Sequence, residues 1–277
     1  MTPPRVAALY LYPVKSLRTT SVRSAVVEPW GLAGDRRWMV ADPGTLRSVT
    51  QREQPALARI DARLLPDGAV RLSAPDREAL TVAVPPPGAP ELVVGHFKDL
   101  IRVRAAAPHA DAWLSSVLGE PVCLVHQDPV GAPRPVDPEY ALPGDTVNLA
   151  DGFPLLLTAA ASLEALNELV AQGSAPREGP LPMDRFRPNV VVEGTPAWAE
   201  NGWRRLRIGD VVFRSPKPCA RCVVTTTDQA TGERGREPLR ALAGRRAQTS
   251  GKLVFGQNLV PEGPGTLHVG DALTPLE

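Results

Sequence analysis

Two cysteines lie three positions apart in the segment Pro218-Cys219-Ala220-Arg221-Cys222. Thiolates are soft ligands for thiophilic metals, and the cations Lys217 and Arg221 lie next to this pair in the sequence. The spacing alone leaves four interpretations open. The pair could be a redox-active dithiol, part of a zinc site, two half-buried structural thiols, or a metal ligand that acts together with other segments of the chain.

The zinc interpretation has a second pair available, because Cys123 and His126 are also three positions apart. Four ligands of these types would be enough for a structural zinc ion. However, Cys123 lies in the apolar stretch 122–125, where a buried structural cysteine is the usual finding. The dithiol interpretation lacks the helix start and βαβ pattern that are typical of thioredoxin-like motifs.

Three polar segments border predicted strands in a way that suits an anionic ligand. Lys15 and Ser16 follow the strand predicted at 6–11, Arg36 precedes the strand at 38–40, and Arg187 and Asn189 precede the strand at 190–192. A guanidinium binds phosphate in a bidentate manner, and an amide side chain can pair with a heterocycle. Each segment alone is equally compatible with solvated surface side chains.

Composition limits the class of protein. The chain has 277 residues, 31 Lys and Arg against 30 Asp and Glu, and three cysteines. A net charge of +1 provides no general field for nucleic acid or an anionic membrane, so we expect neither as a partner. We also expect a cytoplasmic protein, because the sequence shows no signal peptide, no membrane span and no disulfide framework.

The first half of the chain is predicted to consist of short strands, with a single helix at 110–118. The motif Pro-Asp-Gly at 66–68 favours a hairpin between two of these strands. Closely spaced strands with little helix are typical of a small barrel or sandwich. The predicted strands are 6–11, 22–27, 38–40, 60–65, 70–72, 80–84 and 101–103.

A proline-rich segment at 127–149 predicts a boundary between domains 1–126 and 127–277. In the second domain, Ser162 is predicted to be the N-cap of a helix that ends before Gly173. Further elements of this domain are strands at 190–192, 206–213, 253–255 and 266–269, and a short helix at 238–243.

Taken together, the polar segments and the cysteine pair resemble the MOSC family, in its two-domain branch that includes the mitochondrial amidoxime reducing component. The resemblance implies an α+β, strand-dominated fold in which an N-terminal β-barrel domain packs on a C-terminal MOSC β-barrel domain with a few helices. The matching segments are 12–17, 31–40, 151–157, 162–167, 186–189, 219–228, 255–258 and 264–271.

In that family, the second cysteine of the C-x-x-C motif is the protein ligand of molybdenum. The resemblance therefore implies that Cys222 is both the metal ligand and the catalytic residue, and that Cys219 is dispensable. Asp151 is interpreted as a turn residue, with contact to a substrate or water as the alternative. The residues implied to hold the molybdenum cofactor (Mo-molybdopterin) are Lys15, Ser16, Arg36, Arg187, Asn189, Ala220, Arg221 and Asn258.

Two of these residues depart from a simple match. Ala220 could contribute only backbone groups, and Asn258 stands where a relative carries an aromatic residue. Residues from both predicted domains contribute to this set, so we expect the active site at the domain junction.

The resemblance implies an oxidoreductase that reduces N-hydroxylated or other N-oxygenated small molecules. A ferredoxin-type cluster requires four cysteines, so we expect a separate electron donor, such as a ferredoxin or a flavin reductase. Two alternatives remain: a carrier that binds the molybdenum cofactor without turnover, and a sulfur carrier with a persulfide on Cys222.

Overall fold

The computed structural model describes residues 3–128, 134–245, 249 and 251–277, and β-strands dominate the described chain. This confirms the strand-dominated α+β fold class. Before residue 129, the strands are β1 Arg5–Leu11, β2 Thr20–Val22, β3 Ser24–Glu28, β4 Gly31–Leu32, β5 Trp38–Ala41, β6 Asp61–Leu64, β7 Val70–Ser73, β8 Leu80–Val82, β9 Glu91–His96, β10 Asp99–Ala105 and β11 Cys123–His126.

The other strands lie after residue 133, and the described chain also contains three α-helices. The later strands are β12 Arg134–Pro135, β13 Thr146–Val147, β14 Leu155–Ala159, β15 Val190–Glu193, β16 Arg205–Ile208, β17 Val211–Ala220, β18 Val254–Pro261, β19 Gly265–His268 and β20 Leu273–Pro275. The α-helices are α1 Pro108–Leu118, α2 Ala160–Gln172 and α3 Leu239–Ala243. None of the described helices is long and apolar enough to cross a membrane.

The largest sheet contains strands from both halves of the chain, in the order β2-β1-β15-β14-β18-β17-β16-β20. In it, β1 pairs antiparallel with β15, with Leu9 opposite Val190, and β14 runs parallel to β15. A smaller sheet has the order β19-β3-β4. The division at residues 126 and 127 stays a prediction, and both of these sheets are built from strands on either side of it.

The N-terminal half also forms two sheets of its own, in the orders β5-β11-β10-β9 and β6-β7-β8. Their apolar faces and helix α1 enclose a core that includes the fully buried Trp38, Leu72 and Leu124. Helix α1 ends at Gly119, whose left-handed backbone lets its N–H bond the carbonyl of Ser115.

A second core lies under the eight-stranded sheet and draws on both halves. Leu9 and Leu32 from the first half pack with Leu157, Val190 and Phe213 from the second. All five side chains are fully buried. Because a buried leucine or phenylalanine contributes about 2 kcal/mol, this shared core ties the N-terminal strands firmly to the C-terminal half.

Three local predictions about secondary structure need correction. The strand predicted at 206–213 is the hairpin β16–β17, which turns at Gly209 with a φ of +55°. The strand predicted at 22–27 is interrupted at Arg23. Ser162 is not an N-cap, because β14 runs directly into α2 at Ala160.

Ser162 instead lies buried inside the first turns of α2. Its hydroxyl donates to Glu200 Oε2 at 2.8 Å and accepts from the backbone N–H of Trp198 at 2.8 Å. The hairpin predicted around residues 66–68 is confirmed as β6–β7. Strand β9 was not predicted. In the proline-rich segment 127–149, residues 129–133 lie outside the described residues.

Candidate active site

A cavity of about 200 Å³ lies where the two halves of the chain meet. It is lined by two cysteines, several cationic side chains and one carboxylate. All nine residues proposed from the sequence line this cavity: Lys15, Ser16, Arg36, Arg187, Asn189, Ala220, Arg221, Cys222 and Asn258.

Tight backbone turns place three of these residues. Ser16, Arg36 and Arg187 have φ values of +69°, +48° and +55°, a left-handed conformation that non-glycine residues seldom adopt. The turn after β1 is fixed by the Lys15 N–H, which donates to the carbonyl of Trp38 at 2.8 Å. Such strained backbone persists where surrounding structure enforces it, and it is concentrated at functional sites.

Two guanidinium groups lie against the ring of Tyr12, the residue that directly follows strand β1. The Cζ atoms of Arg36 and Arg187 are 4.4 and 4.3 Å from the ring centroid. The Tyr12 hydroxyl donates to the carbonyl of Pro188 at 3.0 Å, and burial raises its pKa to about 12. Tyr12 therefore stays neutral and provides a fixed aromatic surface for both cations.

The side chain of Arg187 has an unused donor. Its Nη1 donates to the carbonyl of Leu17 at 2.8 Å, whereas Nη2 is buried and finds no acceptor among the described residues. Burial lowers the pKa of Arg187 to about 10, so it remains charged at neutral pH. A buried donor without a partner in a positively charged cavity suits an anionic ligand.

Asp151 connects two cations on the wall of the cavity. Lys15 Nζ lies 2.6 Å from Asp151 Oδ1, and Arg52 Nη2 lies 2.7 Å from Asp151 Oδ2. Burial would raise the pKa of Asp151, but the two ion pairs outweigh it and hold that pKa well below its usual range. Asp151 lies in a bend, and its side chain forms ion pairs in the cavity in addition to the turn role expected from the sequence.

Lys15 is almost fully buried in this arrangement. Its ammonium group also donates to the carbonyl of Leu149 at 2.8 Å. Desolvation lowers the pKa of Lys15 to about 8, against the opposing effect of Asp151. Lys15 is thus a cation at neutral pH, with two of its three donors directed at protein oxygens.

The two cysteines of the C-x-x-C motif have different partners. Arg52 Nη2 approaches Cys222 Sγ at 3.5 Å, whereas Arg221 Nη1 approaches Cys219 Sγ at 2.8 Å. Arg221 is also fixed by Nη2, which donates to the carbonyl of Phe186 at 2.7 Å. Cys222 therefore shares a cation with the carboxylate of Asp151, and Cys219 does not.

The remaining predicted residues order the wall of the cavity. Asn189 Oδ1 accepts from Arg36 Nη1 at 3.2 Å and from the Leu156 N–H at 3.2 Å. Asn258 Nδ2 donates to the carbonyls of Lys217 and Pro218, each at 3.3 Å. Ala220 lines the cavity at the end of β17 and offers only backbone polar groups.

Arg52 is the main site residue that sequence reasoning missed. It lies outside every segment that matched a motif, and it is 170 positions away from Cys222. A fixed spacing cannot reveal a contact that the fold creates between distant parts of the chain. With Arg52, five cationic side chains line the cavity, and Asp151 is the carboxylate among its lining residues.

The structure gives no support to a zinc site. Within residues 3–128, 134–245, 249 and 251–277, no group of three or more His, Cys, Asp and Glu side chains could hold a metal ion. Cys123 is buried in β11, where its thiol donates to the carbonyl of Ala41 at 3.5 Å. Burial raises the pKa of Cys123 to about 11, which is the behaviour of a structural thiol.

Comparisons with known proteins match both halves of the chain. Residues 3–121 match the model of the MOSC N-terminal beta barrel domain, and residues 144–274 match that of the MOSC domain. Mitochondrial amidoxime-reducing component 1 of Mus musculus is 35% identical over 283 residues, with 96% of this chain and 80% of that protein aligned. The protein of that name from Homo sapiens is 34% identical, with 96% and 81% aligned.

A second group of relatives is longer. The molybdenum cofactor sulfurase of Oryza sativa subsp. japonica is 29% identical over 264 residues, which are 90% of this chain and 31% of the sulfurase. The shared part thus corresponds to the two matched domains, and most of the sulfurase has no counterpart here. From the two domain matches and the full-length alignment to the amidoxime-reducing components, the chain belongs to the MOSC family, in the form that joins an N-terminal beta barrel domain to a MOSC domain.

Proposed function

We propose that this protein is a molybdenum-cofactor-dependent oxidoreductase that reduces N-hydroxylated and related N-oxygenated compounds. The observation that carries the proposal is the cavity at the junction of the two halves, where Cys222 faces a cluster of cations. The similarity to amidoxime-reducing components, which extends over 96% of the chain, supports the same reaction class.

The residues of the cavity fit the molybdenum cofactor. The phosphate of a molybdopterin needs buried cationic donors, and Arg187 Nη2 is a buried donor without a protein acceptor. Molybdenum needs a soft ligand, and Cys222 is a half-buried free thiol on the cavity wall. In this proposal Cys222 is the metal ligand, and the cofactor is held by Lys15, Ser16, Arg36, Arg187, Asn189, Ala220, Arg221 and Asn258.

When bound, the cofactor supplies two-electron chemistry that removes an oxygen atom from the substrate. The protein provides the charge and the geometry. Arg36 and Arg187 neutralise the phosphate, and their cation–π contacts with Tyr12 fix both guanidinium planes. Arg52 holds the Cys222 side chain and the Asp151 carboxylate on one side of the cavity.

Asp151 is the group best placed to receive a substrate. Its side chain lines the cavity and is 54% exposed, although both carboxylate oxygens are ion-paired. A carboxylate accepts hydrogen bonds only, so it favours substrates that present N–H or O–H groups, as amidoximes and hydroxylamines do.

Reduction of an N–OH group to N–H consumes two electrons and two protons and releases water. The sequence has three cysteines, fewer than a ferredoxin-type cluster requires, so we propose that the electrons come from a separate ferredoxin or flavin reductase. The reductase is preferred to sulfur transfer because the chain is 35% identical to an amidoxime-reducing component and 29% identical to a sulfurase.

One experiment separates the reductase from its alternatives. Freshly purified protein is analysed for molybdenum and labile sulfur, and is then assayed for reduction of benzamidoxime with a chemical electron donor. Molybdenum with turnover supports the proposal. Molybdenum without turnover indicates a cofactor carrier, and labile sulfur on Cys222 without molybdenum indicates a persulfide protein.

A further inference from the structure

A buried histidine lies behind the wall of the active-site cavity and takes no part in the function proposed so far. His96 is the last residue of β9, and its side chain is 1% exposed. Its Nδ1 is 2.8 Å from the hydroxyl of Ser48. Its Nε2 is buried without a hydrogen-bond partner among the described residues and points at Asp151 Oδ1, 3.8 Å away.

The surroundings of His96 determine which nitrogen carries the proton. Asp151 is ionised, so a lone pair on Nε2 would face a negative charge, whereas an N–H at Nε2 is attracted to it. Nε2 therefore bears the hydrogen, and Nδ1 accepts a hydrogen bond from the Ser48 hydroxyl.

The imidazole is also held in its neutral form. Burial lowers the pKa of His96 to about 2, and Lys15, Arg134 and Arg52 act in the same direction, against the opposing effect of Asp151. The ring of Phe97 covers another side, with its centroid 4.4 Å from that of the imidazole. A neutral imidazole donates at one nitrogen and accepts at the other, as a proton relay requires.

Ser48 lies on the other side of this histidine, in a second cavity of about 340 Å³. Thr45, Arg47 and Phe97 also line this cavity. Arg52 lines both this cavity and the active-site cavity. Because the Ser48 side chain is partly exposed, it can exchange protons with water in the second cavity. The histidine thus lies between Ser48, which lines the second cavity, and Asp151, which lines the active-site cavity.

We propose that Ser48, His96 and Asp151 form a relay that carries protons from the second cavity to the substrate. This inference rests on the proposed reductase function, which consumes two protons per turnover. In this proposal, a substrate bound in the active-site cavity covers Asp151 and blocks direct access of water to it. The relay supplies protons through the second cavity instead.

Each transfer moves one proton and no electrons. The hydrogen on His96 Nε2 passes to Asp151, the hydroxyl hydrogen of Ser48 passes to Nδ1, and a hydronium ion in the second cavity returns a proton to Ser48 and becomes water. Asp151 then protonates the oxygen that leaves as water. After the product has left, Nε2 takes up a proton from solvent in the active-site cavity while Nδ1 gives its proton back through Ser48 to solvent in the second cavity, which restores the starting tautomer. A movement of Asp151 by about 1 Å brings Oδ1 within hydrogen-bond distance of Nε2.

The first test needs neither cofactor nor turnover. We expect nitrogen-15 NMR of the cofactor-free full-length chain, labelled at histidine, to show His96 as the neutral Nε2–H tautomer from pH 6 to 8. Replacing Ser48 by alanine should shift the Nδ1 resonance, because its hydrogen bond is lost. An Nδ1–H tautomer, or a protonated ring at pH 6, would overturn the relay.

The second test uses the molybdenum-loaded protein. We expect Ser48→Ala to lower kcat for benzamidoxime about tenfold and to increase the solvent deuterium isotope effect, with unchanged molybdenum content. Ser48→Thr keeps the hydroxyl and should restore most of the turnover. Thr45→Ala removes a hydroxyl from the same cavity outside the relay and should match the wild type.

The outcomes separate the inference from the proposed function. Equal kcat and equal isotope effects in wild type, Ser48→Ala and His96→Gln would overturn the relay, although the reductase function would stand. A wild-type protein that holds molybdenum without turnover would contradict the reductase function. In that case, the tautomer measurement would still decide whether the arrangement of Ser48, His96 and Asp151 is the one described.

Discussion

Arg187 shows how one side chain can indicate the charge of an absent ligand. Its guanidinium is packed on Tyr12 and anchored at the carbonyl of Leu17, yet Nη2 has no acceptor among the described residues. Leaving such a donor buried costs about 1 to 3 kcal/mol, which a bound anion would recover. Arg187 is therefore suited to the anionic ligand of the proposed function rather than to maximal stability of the fold.

This leads to a prediction that needs only inorganic phosphate. Phosphate should raise the melting temperature of the cofactor-free protein, because a ligand that binds only the folded state stabilises it, by about 1.4 kcal/mol at ten times its Kd. Arg187→Gln should remove most of this rise in thermal denaturation. Arg177→Gln, at an exposed position, is the control and should respond like the wild type. Equal responses in all three proteins would contradict a phosphate site at Arg187.

The cysteine pair gives an asymmetric prediction. Cys222→Ala should abolish molybdenum retention and turnover, because no other thiol shares its position beside Arg52 and Asp151. Cys219→Ala should keep both, because Cys219 contacts Arg221 instead. Elemental analysis and the benzamidoxime assay measure both properties. A Cys222→Ala protein with full molybdenum content would show that another group is the ligand.

At the residue scale, the short polar segments indicated the site better than the spacing of the two cysteines did. Lys15, Arg36 and Arg187 stand in short segments whose local pattern already suggested an anion site, and all three line the cavity. Arg52 and the ion-paired role of Asp151 were missed, because both arise from contacts between segments about 100 or more positions apart. The proposed role of His96 also arises from contacts between segments that are distant in sequence.

At the scale of single elements, strand β18 depends on one glycine. Gly256 has a φ of +79°, and a Cβ there would lie 2.5 Å from the carbonyl oxygen of Leu157 on the neighbouring strand β14. Because β18 lies between β14 and β17 in the centre of the large sheet, neither neighbour can move away cheaply.

Gly256→Ala should therefore destabilise the protein by roughly 3 kcal/mol or more, through backbone strain and the clash with β14. Urea denaturation measures the change. Gly263→Ala is the matched control, since its Cβ would meet nothing within 4 Å, and it should stay within about 0.5 kcal/mol of the wild type. Similar stabilities of the two variants would refute the strain argument.

Elements were predictable where local chemistry determined them. The hairpin β6–β7 follows from Pro-Asp-Gly, and α1 ends at a glycine that adopts the left-handed conformation. Ser162 misled the prediction because serine is a common N-cap, whereas here a strand continues into the helix without a loop. Its hydrogen-bond partners Glu200 and Trp198, both distant in sequence, explain that serine.

At the scale of the whole molecule, two buried histidines make stability depend on pH. Burial lowers the pKa of His96 to about 2 and, together with Arg37, that of His126 to about 4. The unfolded chain binds a proton at each histidine near pH 6.5, and the folded protein does not. The free energy of unfolding should therefore be highest above pH 6.5 and should decrease as the pH falls below that value.

Between pH 7 and pH 5, each histidine should reduce the free energy of unfolding by about 2 kcal/mol. Urea denaturation at the two pH values measures this loss. Over the same pH range, the free energy of unfolding of His126→Gln should decrease by about 2 kcal/mol less than that of the wild type. His109→Gln, on the exposed side of α1, serves as the control and should follow the wild type. An equal loss of stability in the wild type and in His126→Gln would contradict the assignment of this effect to His126.

Two sheets combine strands from both halves of the chain, so we predict that the C-terminal half does not fold alone. A fragment of residues 127–277 lacks β1 and β3, which pair with β15 and β19, and it lacks Leu9 and Leu32 from the shared core. We expect poor amide dispersion in NMR spectra of this fragment and no tight binding of the cofactor, in contrast to the full chain. A fragment with a dispersed spectrum and tight cofactor binding would show that the halves are independent.

The general architecture was predictable from the sequence, and its connections were not. Turn residues and alternating apolar positions marked most strands, and the family motifs indicated two parts. The pairing of β1 with β15 could not be read from the sequence, since an apolar strand such as 6–11 is compatible with many partners. The shared core therefore follows from the three-dimensional structure alone.

The order of strands in the large sheet also affects how the protein is made. Strand β1 leaves the ribosome before its partner β15, which follows about 180 residues later. At roughly 5 to 20 residues per second, β1 waits for about 10 to 40 s without its partner. During synthesis, an apolar strand edge is thus exposed to other chains, and a chaperone that shields residues 5–11 would protect the nascent protein from aggregation.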